Sequence, residues 1–187
     1  MSPLELFAAT LGVIAVWLTV KQNWLCWPIG LVMVLIYSYV FYDYKLYSNM
    51  LLQVVYAGVQ VYGWWHWTRG AATASGRPVT RLTPAPLLGG LLIGLLAGLA
   101  LGAAMATWSD ASQPWLDALL TGFSLVAQWW MATKREQCWP LWIVLDAIFV
   151  GLFMHQALYL TAGLYALFLI LAIHGWHQWR KSAAVAA

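Results

Sequence analysis

Long apolar stretches separated by short polar segments make up most of this chain. Seven of these stretches have the length of a membrane span, which needs about 20 mostly apolar residues. They cover residues 4–20, 24–41, 47–67, 85–107, 115–133, 138–154 and 158–179. We therefore predict an all-α integral membrane protein with seven transmembrane helices. The longest connection, residues 68–84, is rich in Gly, Thr and Pro and is predicted to be a flexible linker.

The composition agrees with a membrane protein. The 187 residues are 63% hydrophobic and 8% charged, whereas soluble domains carry about 25% charged residues. Of the nine Lys and Arg, only Lys45 falls on the side of the membrane where the chain begins. This asymmetry predicts an outer N-terminus and a cytoplasmic C-terminus. It also explains the basic pI of 9.0 without nucleic-acid binding.

The sequence repeats itself at an offset of 112 residues. The tripeptide CWP occurs at 26–28 and again at 138–140, and the register holds without a gap to Gly63 and Gly175. Trp67 and Trp179 continue the register after these glycines. Because Trp, Pro and Gly seldom match by chance over such a distance, we interpret the offset as an internal repeat.

The repeat predicts how the chain is organised. Residues 1–68 form a first three-helix bundle, residues 69–114 a linker with the fourth helix, and residues 115–187 a second three-helix bundle. The two bundles cross the membrane in the same direction, which gives a parallel 3+1+3 arrangement. Transporters of this architecture hold their solute between the halves. A duplicated scaffold without a transport pathway is the alternative.

The third span carries an unusual polar stripe. Asn49, Gln53, Tyr56 and Gln60 follow one another at helical spacing and share one face. Unsatisfied amides in lipid cost several kcal/mol each, so this face must contact protein or water. The stripe indicates a solute site, although amides that bond neighbouring helices would give the same pattern.

The sixth span contains an acidic residue near its centre. Asp146 lies there with Trp142 one turn before it. An ionisable group at this depth suggests a ligand-binding or pathway role, with a structural hydrogen bond as the alternative. We expect a carboxylate and aromatic rings to suit a flat cationic solute.

The fifth and seventh spans add further polar candidates. Gln128 shares one face of the fifth span with Thr121 and Ser124. In the seventh span, Thr161 and Tyr165 match Asn49 and Gln53 under the offset of 112, so the two halves supply different groups from equivalent places. The predicted substrate-binding residues are Asn49, Gln53, Tyr56, Gln128, Trp142, Asp146, Thr161 and Tyr165.

Tryptophan is abundant, with 14 residues, and many of them stand at span ends. Indole rings are favoured at the membrane–water interface, so these residues are predicted to be interfacial anchors. They are Trp24, Trp27, Trp67, Trp108, Trp115, Trp139 and Trp179.

Catalytic and metal-binding motifs are missing from the sequence. It contains no phosphate-binding loop, zinc-protease motif, serine-hydrolase motif or Cys/His metal spacing. We therefore predict a protein that is not an enzyme and that needs no cofactor or metal. Cys26 and Cys138 are expected to be free thiols.

Three segments resemble the PnuC family of vitamin transporters. They are NWLCWPIG at 23–30, FYDYKLYSNMLLQVVYAGVQVYGWWHW at 41–67, and REQCWPLWIVLDAIFV with LYLTAGLYALFLILAIHGWHQW in the second half. The resemblance covers the chain except residues 68–114. It implies a fold similar to SWEET sugar transporters, a multi-pass location in the bacterial inner membrane, and assembly as a homotrimer.

The resemblance also implies a function. Members of this kind carry nicotinamide riboside by facilitated diffusion, and a cytoplasmic kinase then traps it for NAD synthesis. The implied site combines Asn49 and Gln53 with Trp142 and Asp146. Relatives that carry other vitamins, such as thiamine, share the fold, so another vitamin is an alternative substrate.

Overall fold

The structure is a computed structural model built almost entirely of helices. It describes residues 3–43, 47–69, 78–108 and 113–185, and all their side chains except those of 41, 47–49, 51 and 184–185. Seven helices lie within these residues, close to the predicted positions. They are α1 (Pro3–Val20), α2 (Cys26–Asp43), α3 (Tyr47–Thr68), α4 (Pro84–Trp108), α5 (Pro114–Ala132), α6 (Cys138–His155) and α7 (Tyr159–Val185).

Not all seven helices are equally apolar. Within the described residues, four are long and apolar enough to cross a membrane, namely α1, α4, α6 and α7. Helix α2 is apolar over the shorter range Cys26–Val40. Helices α3 and α5 carry the carboxamides singled out above, which lowers their mean hydropathy.

The helices pack as two groups of three and one outer helix. Helix α2 packs between α1 and α3, and α6 packs between α5 and α7. The groups meet where α1 contacts α7 and where α3 contacts α5, while α4 contacts only α5 among the described helices. Glycine allows α4 and α5 to lie close together, since a Cβ added to Gly98 would lie 2.9 Å from the Cα of Leu119.

The turns that end α1 and α5 have the same structure. Gln22 and Lys134, which are 112 residues apart, both adopt positive φ, at 55° and 54°. In each turn the next amide reaches back to the helix, from Asn23 N to Leu18 O at 2.9 Å and from Arg135 N to Trp130 O at 2.8 Å. This is the Schellman arrangement, which satisfies the last carbonyls of a helix and fixes where the chain leaves it.

Four of the tryptophans predicted to anchor the protein at the membrane surface are buried instead, so that part of the prediction is wrong. Trp27, Trp67, Trp139 and Trp179 are 2%, 4%, 1% and 0% exposed. Trp27 meets Trp67 edge-on at 5.3 Å between ring centroids, and Trp139 meets Trp179 in the same way at 5.4 Å. We call these four rings the Trp cluster.

The Trp cluster forms because small residues stand opposite two of its rings. A Cβ at Gly63 would collide with the Trp27 ring, and one at Gly175 would lie 2.7 Å from atoms of Trp139. The repeat therefore places Trp27 of the first CWP tripeptide against Gly63, and Trp139 of the second against Gly175. Burial of such large rings contributes strongly to the core at this end of the bundle.

The second half of the linker is held in place, contrary to the prediction of a flexible connection. Thr80 exchanges backbone hydrogen bonds with the turn after α5, from Thr80 N to Lys134 O at 3.0 Å and from Glu136 N to Thr80 O at 3.1 Å. Arg81 pairs with Glu136 at 2.8 Å, and Val79 is 3% exposed. Residues 70–77 of the linker lie outside the described part of the chain.

Candidate functional site

A cavity of about 630 Å³ lies between the two groups of helices. It is lined by α1, α2, α3, α5, α6 and α7, and α4 takes no part. Along α1 its lining runs from Glu5 to Thr19, which corresponds to about 20 Å at 1.5 Å per residue. We refer to its two extremities as the Glu5 end and the Trp end, the latter being where the Trp cluster lies.

The cavity brings together seven of the eight predicted substrate-binding residues. Their side chains come from four helices that are far apart in the sequence. The seven are Gln53, Tyr56, Gln128, Trp142, Asp146, Thr161 and Tyr165. The eighth, Asn49, belongs to the first turn of α3, and its side chain lies outside the described part of the structure.

Equivalent positions of the repeat face each other across the cavity. Most lining residues have a partner 112 positions away that also lines the cavity. The pairs are Ala9/Thr121, Gly12/Ser124, Val16/Gln128, Thr19/Met131, Trp27/Trp139, Gly30/Trp142, Val34/Asp146, Tyr37/Phe149, Leu52/Leu164, Gln53/Tyr165, Tyr56/Phe168 and Gln60/Ala172. Side-chain chemistry differs within most pairs, so equivalent backbones present an asymmetric surface.

Several polar side chains of the cavity are buried and are available for hydrogen bonding. Asp146 is 3% exposed and has no hydrogen-bond or ion-pair partner within the described part of the chain. Gln60 and Gln128 are also buried, at 8% and 9%. Tyr56 hydrogen-bonds to Ser124, which links α3 to α5. Buried polar groups normally have partners, so a set that faces an enclosed space without them indicates a binding surface.

Gln60, the last amide of the polar stripe, also lines the cavity. Its side chain packs against α2, where a Cβ on Gly30 would lie 2.7 Å from the Gln60 amide nitrogen. The absence of a side chain at Gly30 therefore makes room for this carboxamide beside the cavity. In the second half the equivalent of Gly30 is Trp142, whose ring takes up that room.

Three indole N–H groups of the lining lack partners. The Nε1–H groups of Trp27, Trp139 and Trp142 are buried and donate no hydrogen bond within the described part of the chain. Trp27 and Trp139 were not predicted as site residues, because span ends suggested interfacial anchors. Their match with glycines on the third and seventh spans was the signal that could have identified them as buried.

One wall of the cavity is aromatic. The ring of Tyr165 lies 4.7 Å from that of Phe149 and 5.1 Å from that of Phe153, with Phe168 edge-on at 5.8 Å. Phe149 and Phe153 of this wall went unpredicted, because Phe in a membrane span carries no distinguishing signal in the sequence. Its flat surfaces can pack against a ring of a solute.

The Trp end of the cavity is closed by bonds between the two groups of helices. Trp67 Nε1 donates to Ala132 O at 3.1 Å, and Trp179 Nε1 donates to Thr19 O at the same distance. Each indole thus crosses from its own group to the end of a helix in the other. Gln22 Nε2 adds a third bridge to Ser182 Oγ at 3.0 Å.

A buried lysine lies beside this closure. Lys134, in the turn after α5, is 2% exposed, and its ammonium lies 4.5 Å from the centre of the Trp67 ring. Burial disfavours the charged form and lowers the pKa of Lys134 to about 8. The contact with the indole face compensates part of that cost.

The described residues offer no metal site, since no three His, Cys, Asp or Glu side chains come together among them. Both cysteines are free and buried, as expected. What the cavity offers is hydrogen bonding, aromatic contact and negative charge.

Apolar helices around a solute-sized cavity that contains buried polar side chains are typical of helical membrane transporters. The chain belongs to the nicotinamide mononucleotide transporter family, which it matches over residues 2–181. It is accordingly a multi-pass transporter of the bacterial inner membrane, and its relatives are transporters rather than enzymes.

The relatives are distant in sequence. The nicotinamide riboside transporter PnuC of Escherichia coli is 23% identical, with 82% of this chain and 75% of the relative covered. PnuC of Neisseria mucosa is 26% identical, with coverage of 93% and 70%. The riboflavin/roseoflavin transporter RibM of Streptomyces davaonensis is 24% identical, with coverage of 90% and 80%.

A solved structure shares the fold. The crystal structure of the vitamin B3 transporter PnuC superposes with a TM-score of 0.80 at 23% identity, covering 98% of this chain and 83% of the other. At this level of identity the likeness concerns the arrangement of the helices.

Proposed function

We propose that this protein transports nicotinamide riboside across the inner membrane by facilitated diffusion, as a uniporter that supplies NAD synthesis through cytoplasmic phosphorylation. The observation that carries the proposal is the chemistry of the cavity. Its lining combines the buried, unpartnered carboxylate of Asp146 with carboxamides and aromatic rings. These groups suit a pyridinium ring that carries ribose hydroxyls and an amide.

The individual contacts follow from the position of each group. Asp146 faces the fixed positive charge of the ring or accepts hydrogen bonds from ribose hydroxyls. Gln53 and Gln128 offer both donors and acceptors to the carboxamide of the solute. The rings of Trp139 and Trp142, which line the cavity, offer aromatic surface to the pyridinium. We include Asn49, Tyr56, Thr161 and Tyr165 in the same site.

The charge of the cavity favours the riboside over its phosphorylated form. Among the described lining residues there is no Lys, Arg or His. A phosphate brought into this space would therefore meet Asp146 without a basic partner, and burial of an unpaired charge is costly. We infer that the mononucleotide is excluded even though the family carries its name.

We further propose that the chain is a parallel 3+1+3 repeat like that of SWEET transporters, with the units 1–68, 69–114 and 115–187. The equivalent turns at Gln22 and Lys134 support it, as do the equivalent Trp pairs and the paired lining of the cavity. All seven helices then cross the membrane. The polar faces of α3 and α5 are turned away from lipid, toward the cavity.

The basic residues support an orientation with the Trp end in the cytoplasm and the N-terminus outside. Every Lys and Arg in the described part of the chain lies near the Trp end, as the distribution of charge in inner-membrane proteins requires. They are Lys21, Arg69, Arg81, Lys134, Arg135, Arg180 and Lys181. Lys45 and Arg77 lie outside the described residues. Assembly as a homotrimer is part of the proposal and follows from the family resemblance alone.

A direct binding titration tests the proposed function. Purified protein in detergent is titrated with nicotinamide riboside while the tryptophan fluorescence of the cavity is followed, with nicotinamide mononucleotide as the matched phosphorylated ligand. We expect saturable binding of the riboside and none of the mononucleotide at the same concentrations. Saturable binding of the mononucleotide alone would contradict the proposal.

A second candidate is the transport of another vitamin. The similarity to RibM, a riboflavin/roseoflavin transporter, favours this alternative, because the two chains match over 90% of this one. Thiamine is a further candidate, since it is also a flat cation. Competition by riboflavin or thiamine against bound riboside distinguishes them: a competitor that binds more tightly than the riboside identifies the preferred substrate.

A further inference from the structure

The cavity contains a second carboxylate that neither the polar stripes of the sequence nor the predicted site includes. Among the described lining residues the formally charged groups are Glu5 and Asp146, both acidic. Asp146 is buried, lines the cavity and has no ion-pair partner in the described part of the chain, so a cation in this space would compensate its negative charge. Glu5 adds to the same field from another place.

Glu5 lies at the end of the cavity opposite the Trp cluster. It belongs to the first turn of α1, is half-buried, and interacts electrostatically with Tyr37 of α2, which also lines the cavity. Tyr37 interacts in turn with Tyr165, and Tyr165 with Asp146. Both carboxylates therefore line the same cavity, with Tyr37 and Tyr165 among the residues that line it with them.

An acidic residue in the first turn of a helix has an ordinary structural explanation, because it stabilises the helix N-terminus. The repeat provides a direct comparison for that explanation. Asp117, 112 residues after Glu5, occupies the first turn of α5, yet it is exposed and is absent from the cavity lining. Glu5 and Asp117 share the structural role, and only Glu5 faces the cavity.

We propose that Glu5 forms an outer cation subsite, which attracts positively charged solutes into the cavity and selects them over neutral ones before they reach Asp146. This inference rests on the proposed function, in which the transported riboside carries a fixed positive charge. It adds a specificity-determining residue at the Glu5 end, where the solute arrives from outside.

The physical effect of Glu5 is kinetic. A charge at the mouth of a low-dielectric cavity raises the local concentration of oppositely charged solute and so increases the association rate. Because the carboxylate is partly exposed, salt screens it, and it contributes less to the bound state than a buried charge does. Glu5 therefore governs how fast a cation enters, whereas Asp146 governs how long it stays.

Stopped-flow fluorescence with a matched ligand pair tests the outer subsite. Nicotinamide riboside is cationic, and its reduced dihydro form has nearly the same shape without the charge. In Glu5→Gln the association rate of the cationic form is expected to fall about two- to fivefold at low salt. Its dissociation rate and the binding of the neutral form should be unchanged, and high salt should abolish the difference from the wild type.

Asp117→Asn is the matched control, since it removes the equivalent first-turn charge away from the cavity. It should alter neither ligand's kinetics. Unchanged binding of the neutral form also shows that Glu5→Gln is correctly folded. An association rate in Glu5→Gln equal to that of the wild type overturns the outer subsite, as does an equal loss for both ligands. A wild-type protein that binds neither form overturns the proposed function, and the outer subsite with it.

Discussion

At the scale of single residues, the decisive feature is a carboxylate placed where the sequence offers no positive partner. Asp146 is buried beside aromatic rings, and its repeat equivalent Val34 also lines the cavity but brings no polar group. Burying an unpaired charge costs several kcal/mol, so we expect Asp146 to act in binding the solute rather than in stabilising the fold.

Replacing Asp146 tests this role. Asp146→Asn keeps the shape and removes the charge, so the affinity for nicotinamide riboside should fall by about 10- to 100-fold, the range for a lost hydrogen bond to a charged group. The affinity for the neutral dihydro form should change much less. Calorimetric titration of both ligands measures the difference, with Asp117→Asn as the acidic control outside the cavity. Equal affinity of Asp146→Asn and the wild type for the cation would refute the assignment.

At the scale of the helices, the two groups of three are joined most firmly at the Trp end. Trp67 of α3 bonds to the last residue of α5, and Trp179 of α7 bonds to the last turn of α1. Passage of a solute through this end requires both bonds to break, because the rings fill the space between the groups. The helices themselves need not unfold, so the opening is a movement of one group against the other.

Removing the indole donors should loosen this closure. The double variant Trp67→Phe/Trp179→Phe keeps two aromatic rings but loses both cross-group bonds, each of which is worth about 1 kcal/mol. The population open at the Trp end should rise at least about fivefold. The native thiol of Cys26, 4% exposed and part of the cavity lining, reports on it through its rate of maleimide labelling in a Cys138→Ala background.

A tryptophan of α3 outside the cluster serves as the control for this experiment. Trp65 is 48% exposed and has no cross-group hydrogen bond within the described part of the chain, so Trp65→Phe should leave the labelling rate of Cys26 unchanged. If the double variant folds and labels no faster than Trp65→Phe, the indole bonds do not hold the Trp end closed.

At the scale of the whole molecule, one asymmetric cavity lies between two groups built on nearly the same plan. Equivalent packing at Trp27 and Trp139 supplies a matched frame, and different side chains within it supply a surface for one particular solute. In the proposed function, the positive charge that pairs with Asp146 belongs to the solute itself, so no proton has to accompany the solute across the membrane.

Transport without ion coupling gives a clear expectation for flux. In proteoliposomes that contain this protein, initial uptake of nicotinamide riboside should be the same with and without an imposed pH gradient, and it should stop when the two sides are equal. Protein-free liposomes and liposomes with Asp146→Asn provide the background rates. Accumulation above the external concentration when a pH gradient is present would show proton coupling and contradict uniport.

Much of this protein was predictable from the sequence because hydrophobicity and periodicity are local properties. The seven helices lie where the apolar stretches indicated, and the spacing of Gln53 and Tyr56 placed both on the face that lines the cavity. The identity of Asp146 as an intramembrane acid was equally clear. Only its own helix and its own depth were needed for that inference.

The tertiary structure decided which surfaces meet, and that reversed several predictions. Trp27 and Trp139 were predicted to be interfacial anchors, but both are buried. Their burial depends on the glycines opposite them, which lie over 30 residues away in the sequence. Residues 78–83 belong to the segment that was predicted to be a flexible linker. The sequence did not reveal their hydrogen-bond partners, which lie in the turn after α5. Glu5 joined the cavity only through the packing of α1 against α2. The sequence determines which surfaces each helix can bury, but the contacts between distant helices determine which of these surfaces are buried.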